Sequence, residues 1–342
     1  MKLRTQTLEP FLLEAQNSDG GWGYQPSAAS ATEPTSWALQ ALSTVAAAGT
    51  RENESGLSIA DRRMPIADDR CSKPAADNRR SAISQAVSVG RRWLHDAQLA
   101  DGSWPAFVGQ LQGYWVTAVA CLALNGWQES SDRIARGLRW LCRTWPAEGN
   151  LWWRFRQRLW RQASAIRQDS SLRGWSWTPG TASWVEPTAY ALIAFRCIPK
   201  KLHPPGVSKR RQLGEKMLYD RMCPGGGWNS GNPLVYGVAG EPRVGPTAWA
   251  LLALQDYRDR PENLKSVDWL EQVYPHIRGP ASLAVARLCL VAYDRPLPPL
   301  EPALSELWLS NQFFRNVLVA AWAAMALSGG RDQEFGVTKS RK

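Results

Sequence analysis

Apolar positions recur along this chain in a paired pattern. A stretch with one apolar stripe and charged flanks leads into a turn rich in Gly and Trp. A second stretch then follows that is apolar nearly all round. The first pair comprises residues 11–16, the turn Asp19-Gly20-Gly21-Trp22, and a run opened by Glu33-Pro34-Thr35 that continues to Leu42. The second joins 91–104 to 114–124. The third begins at 134–141, takes a long insertion and resumes at Gly174-Trp175 and 185–195. The fourth joins 215–228 to 244–254. A worn fifth pair spans 267–274 and 281–293, and the sixth spans 304–312 and 316–327.

A helix with an apolar stripe keeps one face on a core and one in water, whereas a helix apolar on all sides is buried on all sides. Around Trp93 and Leu94, for example, stand Arg91, Arg92, His95 and Asp96. Six half-exposed helices alternating with six buried ones predict an all-α fold, a single (α/α)6 toroid of six helical hairpins over residues 1–330. Neither layer can bury its surface alone, which is why such units come in arrays. Pro34, Pro187 and Pro246 are expected at the first helical position, where a missing N–H costs nothing. The Gly pairs beside Trp22 and Trp228 permit turns at positive φ. No sustained alternation of apolar and polar residues predicts a strand.

Two segments interrupt the repeat. Residues 50–80 are charged, contain Pro and are short of large apolar side chains, and are expected to form a flexible loop. Residues 151–173 interleave Trp152, Trp153, Phe155, Leu159, Trp160 and Ile166 with Arg154, Arg156, Arg158, Arg161 and Arg167, as in an amphipathic helical insertion. Residues 331–342 are expected to be a disordered basic tail.

The net charge of +11 favours acidic partners, namely diphosphates, anionic lipid surfaces or nucleic acid. Solubility is the plainer reading, since part of the excess lies in the linkers and the tail. No nucleic-acid-binding module accompanies the charge, so nucleic acid is not the expected partner. Nothing in the sequence sets an oligomeric state. Most of the 19 Trp lie at turns beside Gly or at fixed places in the unit. Of the six Cys, Cys121, Cys197 and Cys289 fall inside apolar runs, where a thiol behaves as a small hydrophobe. No CxxC pair occurs, and the expectation is a reduced, cytoplasmic chain. The N-terminus lacks the apolar core of a secretion signal, and no apolar run approaches the roughly 20 residues that span a bilayer. Any membrane contact is therefore expected from the surface.

Arg91-Arg92-Trp93-Leu94 with Gln98 and Gly102-Ser103-Trp104 resembles the QW motif of squalene–hopene and oxidosqualene cyclases. Phe11-Leu12-Leu13 with Gln16 and Gly20-Gly21-Trp22 is a second match, and the same repeats occur in prenyltransferase β subunits. The resemblance covers about residues 7–327. It implies a terpenoid-cyclase toroid that binds a polyprenyl or triterpenoid chain in a central apolar cavity, with Gln–Trp ties bracing the architecture. A Gln near the end of an outer helix can bond backbone groups orphaned there, and its amide plane can lie on the Trp after the glycines. Cyclases of this family pair two such domains, whereas this chain has one. They also take apolar substrates from a bilayer, a task for which the 151–173 insertion is suited; its other reading is a helix packed across the toroid rim.

The family's acid motif, DxDDT, is missing. Asp68-Asp69 is the nearest string, but a solvated loop cannot hold a carboxylic proton near neutral pH. In the motif's place stand Glu33-Pro34-Thr35 and Glu186-Pro187-Thr188. Glu33 and Glu186 are thus either substitute acids or ordinary helix-start residues. A helix N-terminus favours the carboxylate by roughly 0.3–1 kcal/mol, which would lower its pKa. Glu241, before Pro242, is a weaker third acid. The inner-helix aromatics Trp37, Trp115, Tyr190, Trp249 and Trp322 either offer π faces to a carbocation or isoprenoid or pack between the two layers. Prenyltransferase β subunits hold zinc through Asp, Cys and His. Here His95, on the exposed side of an outer helix, His203 and His276 lack partners at such spacing, so neither metal nor cofactor is expected. The function implied is acid-initiated isoprenoid cyclisation; the alternative is a non-catalytic toroid that binds a lipid or a protein.

Overall fold

The computed structural model describes residues 3–60, 73–147, 168, 169 and 171–328, with side chains except at 49–60 and 73–76. It is all-α, 63% helical. Helix α1 (Glu9–Glu14), preceded by a wider turn at Arg4–Leu8, pairs with α2 (Thr32–Ala60). Then come α3 (Lys73–Ala97) with α4 (Val116–Leu124), and α5 (Ser131–Arg143) with α6 (Val185–Cys197). Next are α7 (Val207–Asp220) with α8 (Val244–Ala253), α9 (Pro261–Val273) with α10 (Pro280–Ala292), and α11 (Leu300–Asn311) with α12 (Val317–Leu327).

Burial follows the two classes of helix. Every residue of α4 is buried, as is the run from Pro187 to Phe195 in α6. In α5 only Ile134, Gly137, Leu138 and Leu141 are buried, at the i, i+3, i+4, i+7 spacing of one face. Contacts between the buried helices run α2–α4–α6–α8–α10–α12 and return to α2. Backbone hydrogen bonds at three of the helix N-termini also join one unit to the next. Thr32 N donates to Ala106 O at 3.1 Å and Val185 N to Ser230 O at 3.3 Å. Val317 N donates to Tyr24 O at 3.0 Å and so joins the last unit to the first.

Within four units one Thr ties the turn to the buried helix. The amides of Trp22, Trp104, Trp175 and Trp228 donate to Oγ1 of Thr35, Thr117, Thr188 and Thr247 at 2.8–2.9 Å. Each hydroxyl in turn donates to the carbonyl of the same Trp. The Trp indoles donate to Leu12, Leu94, Leu141 and Leu218 carbonyls at 2.6–2.9 Å. Gln16 donates to Gly20 O and across to Ala86 O of α3, and Gln98 to Gly102 O and across to Arg133 O of α5. The Gln therefore fastens neighbouring first helices to each other as well as closing its own turn. In the third unit Arg210, from the following helix, supplies equivalent donors to Arg173 O and Gly174 O while its guanidinium lies 3.6 Å from the Trp175 ring centroid.

Several details differ from the sequence reading. Pro34, Pro187 and Pro246 occupy the third helical position, because each helix starts two residues earlier. That position also has no intrahelical N–H bond to lose. Helices α2 and α3 reach into 50–80, so residues 50–60 and 73–80 are helical rather than loop, and 61–72 lie outside the described residues. The insertion 151–173 lies outside them except at 168, 169 and 171–173, as does the tail 331–342. A two-stranded ribbon, Leu234–Val235 with Val238–Ala239, was not expected and is too short to leave an alternating signature. His95 is half-buried rather than exposed, with Nε2 2.8 Å from Ser130 Oγ. Among the described residues no helix is long and apolar enough to cross a membrane.

Candidate functional site

The repeat places chemistry at one register position. Counting back from the tying Thr, that position holds Glu33 in the first unit, Trp115 in the second, Glu186 in the third and Gly245 in the fourth. All lie at the N-terminal ends of the buried helices. Two residues beyond Thr35, Thr188 and Thr247 stand Trp37, Tyr190 and Trp249, one half-turn deeper, whereas Val119 follows Thr117, and Trp322 meets Trp37 and Trp249 from α12.

These aromatics meet one another. Trp37 contacts Trp249 across the cycle of helices, with centroids 5.4 Å apart, although α2 and α8 are not neighbours in it. Trp37 also contacts Tyr190 at 6.1 Å and Trp322 at 5.8 Å. Trp249 contacts Tyr190 at 4.9 Å and Trp322 at 5.6 Å, and Trp115 stacks on Tyr190 at 5.2 Å. Trp37, Tyr190, Trp249 and Trp322 therefore meet in the middle of the cycle, and Trp115 joins them through Tyr190. Trp37 is fully buried there, and Tyr190 and Trp249 are nearly so. The indole N–H groups of Trp37 and Trp322 have no acceptor among the described residues.

Glu33 is buried at the edge of this cluster. Tyr24 donates its hydroxyl to Glu33 Oε2 at 2.5 Å. Burial pushes the Glu33 carboxyl up to about 7, against the pull of the Tyr24 hydrogen bond and with the help of the nearby Glu186 charge. The expectation that a helix N-terminus would lower this pKa is reversed: loss of water outweighs the dipole. Glu186, half-buried, is also raised by burial, and the Arg243 charge opposes the rise. Tyr190 is raised by burial and by the charges of Glu186, Glu33 and Tyr24, so all four groups share one field. In the fourth unit the missing side chain at Gly245 leaves room beside Glu186, whose Oε1 would lie 3.8 Å from a Cβ there.

Tyr24 was missed in the sequence. It lies two residues past the turn Trp, where the third unit has Trp177, whose ring meets Trp115 edge-on at 4.7 Å. The recurrence of a large aromatic at that step was the available signal. Glu241 is exposed on the connection to α8. Asp68 and Asp69 lie outside the described residues. Among the described residues no three His, Cys, Asp or Glu side chains are grouped to hold a metal ion. Cys121, Cys223 and Cys289 are buried as thiols.

Chemically, the arrangement offers a carboxylic acid half-protonated near pH 7, a phenol and a second carboxylate close by, and a bank of π faces beneath them. Compared with models of known families and with curated proteins, the chain matches no family model and no curated protein significantly.

Proposed function

We propose that this chain is a single (α/α)6 toroid of the terpenoid-cyclase and prenyltransferase type that receives an isoprenoid chain at the end of its bore carrying Glu33. Glu33 is the acid, Tyr24 positions it, and Trp115, Tyr190 and Trp249 supply the apolar, π-rich wall. The observation that carries the reading is the buried Glu33 carboxyl, held near pKa 7 against the aromatic cluster. The closed order of contacts among the buried helices supports the toroid. A pKa raised to about 7 leaves about half of the Glu33 carboxyls protonated at neutral pH but makes the acid weaker. Proton transfer to an oxygen, such as an isoprenoid epoxide or alcohol, therefore suits Glu33 better than transfer to an alkene. The aromatic contacts fill the bore, so a chain lies across its entrance instead of threading it.

That same filling favours a second reading, a non-catalytic toroid whose aromatics serve packing and whose entrance binds a lipid or protein. The two separate on incubation of the full chain with squalene, oxidosqualene and prenyl diphosphates, followed by product analysis. Product formed by the wild type and lost in Glu33→Gln supports the acid. Binding of these compounds without product supports the second reading.

A further inference from the structure

The helix cycle is open at the end away from Glu33. A cavity of about 450 Å³ is lined there by Gln40, Ser43 and Thr44 of α2, Leu122 of α4, Cys197 of α6 and Met325 of α12. Helical register fixes where it lies. Gln40 and Thr44 follow Trp37 on the same face of α2, and Met325 follows Trp322 by one turn. Leu122 and Cys197 lie two turns past Trp115 and Tyr190. The cavity therefore sits beyond the aromatic cluster, at the C-terminal ends of α4, α6 and α12 and beside the middle of α2, and the aromatics separate it from Glu33. Its size is within the ~300–1,000 Å³ range of small-molecule sites.

We propose that this cavity binds a neutral, largely apolar alcohol, independently of any chemistry at Glu33. Its lining is apolar carbon and sulfur with uncharged polar groups and no charged side chain. Gln40 spends an amide hydrogen on Ser36 O, and Asn125, also in the lining, spends one on Cys197 O. The amide oxygens of both remain to accept a ligand hydroxyl, and the Ser43 and Thr44 hydroxyls stand beside them. The C-terminal ends of α4 and α6 turn their partial negative charge toward the cavity, which disfavours phosphate or carboxylate heads.

Cys197 reports on the cavity directly, since its half-buried thiol lines it. Burial pushes that thiol up to about 11, so alkylation by N-ethylmaleimide is run at mildly alkaline pH and read peptide by peptide. Farnesol is the neutral probe and farnesoate its anionic counterpart. Saturating farnesol should slow Cys197 alkylation roughly tenfold, as ~90% occupancy requires. Thr44→Val, which keeps the shape, should weaken that protection about fivefold for one lost hydrogen bond, and Ser43→Phe should fill the space and abolish it. Glu33→Gln should leave it unchanged. Unprotected Cys197 at saturating farnesol, equal protection by farnesoate, or protection lost in Glu33→Gln but kept in Thr44→Val would each overturn the assignment.

Discussion

Tyr24 and Glu33 come from different parts of the first hairpin, a turn and a helix start, and meet through a 2.5 Å hydrogen bond between phenol and carboxylate. The turn is held to the helix by the Trp22–Thr35 tie, so the pair is preset by the repeat itself. The bond lowers the Glu33 pKa while burial raises it more. Tyr24→Phe removes only the lowering contribution. The Glu33 midpoint should therefore move further up, as read from the carboxyl carbon shift of labelled Glu by NMR. A midpoint moving down would mean the phenol does not favour the carboxylate.

Stability should carry the imprint of the same carboxyl. Between the ordinary value of 4.5 and the folded value of about 7, the native chain holds a proton that the unfolded chain has lost. Stability therefore falls as pH rises through that window and levels above it. The full cost is roughly 3 kcal/mol, at about 1.36 kcal/mol per pH unit. Urea unfolding across pH 4.5–8 should show this decline in the wild type and a shallower one in Glu33→Gln, where the raised Glu186 still contributes. Equal slopes in both proteins would exclude Glu33 as the source.

The Thr tie predicts a large effect from a small change. Thr188 is fully buried and serves both the amide and the carbonyl of Trp175. Thr188→Val keeps the volume but strands the Trp175 amide, at a cost of roughly 1–3 kcal/mol, while the Trp175 carbonyl still accepts from Trp184 N at 2.9 Å. Thr188→Ser, which restores the hydroxyl, should recover most of it. Equal loss in the two variants by urea unfolding would show that packing of the methyl group matters instead.

Glycines at positive φ separate two effects. Gly20 and Gly109 have nearly equal φ, 94° and 91°, but a Cβ at Gly20 would sit 2.5 Å from Val89 Cγ1 of the next first helix, whereas Gly109 has open space. Gly109→Ala should cost about 1 kcal/mol from backbone strain alone. Gly20→Ala should cost about 2–4 kcal/mol because the helices must also part. Matching losses would remove close helix approach from the account.

The sequence made the paired helices legible because burial on every side leaves a plain compositional trace, as in α4 and α6. The same uniformity hid the aromatic cluster. A helix apolar all round does not say which face looks to the middle, so Trp37 could equally have packed outward. The sequence puts Trp37, Tyr190 and Trp249 at one repeat position, and the tying Thr117 adds that Trp115 stands instead at the position of Glu33. The elevated carboxyl was invisible for another reason: its cause is water excluded by residues distant in sequence. Tyr24 escaped because the motif was read as ending at Trp22.

The most direct test of the central claim is turnover of oxidosqualene by the full chain across pH 5.5–8.5, followed by product analysis. A cyclised product should form below pH 7, decline as Glu33 loses its proton near pH 7, and vanish in Glu33→Gln. No product from the folded wild type, or product unchanged in Glu33→Gln, would contradict Glu33 as the acid.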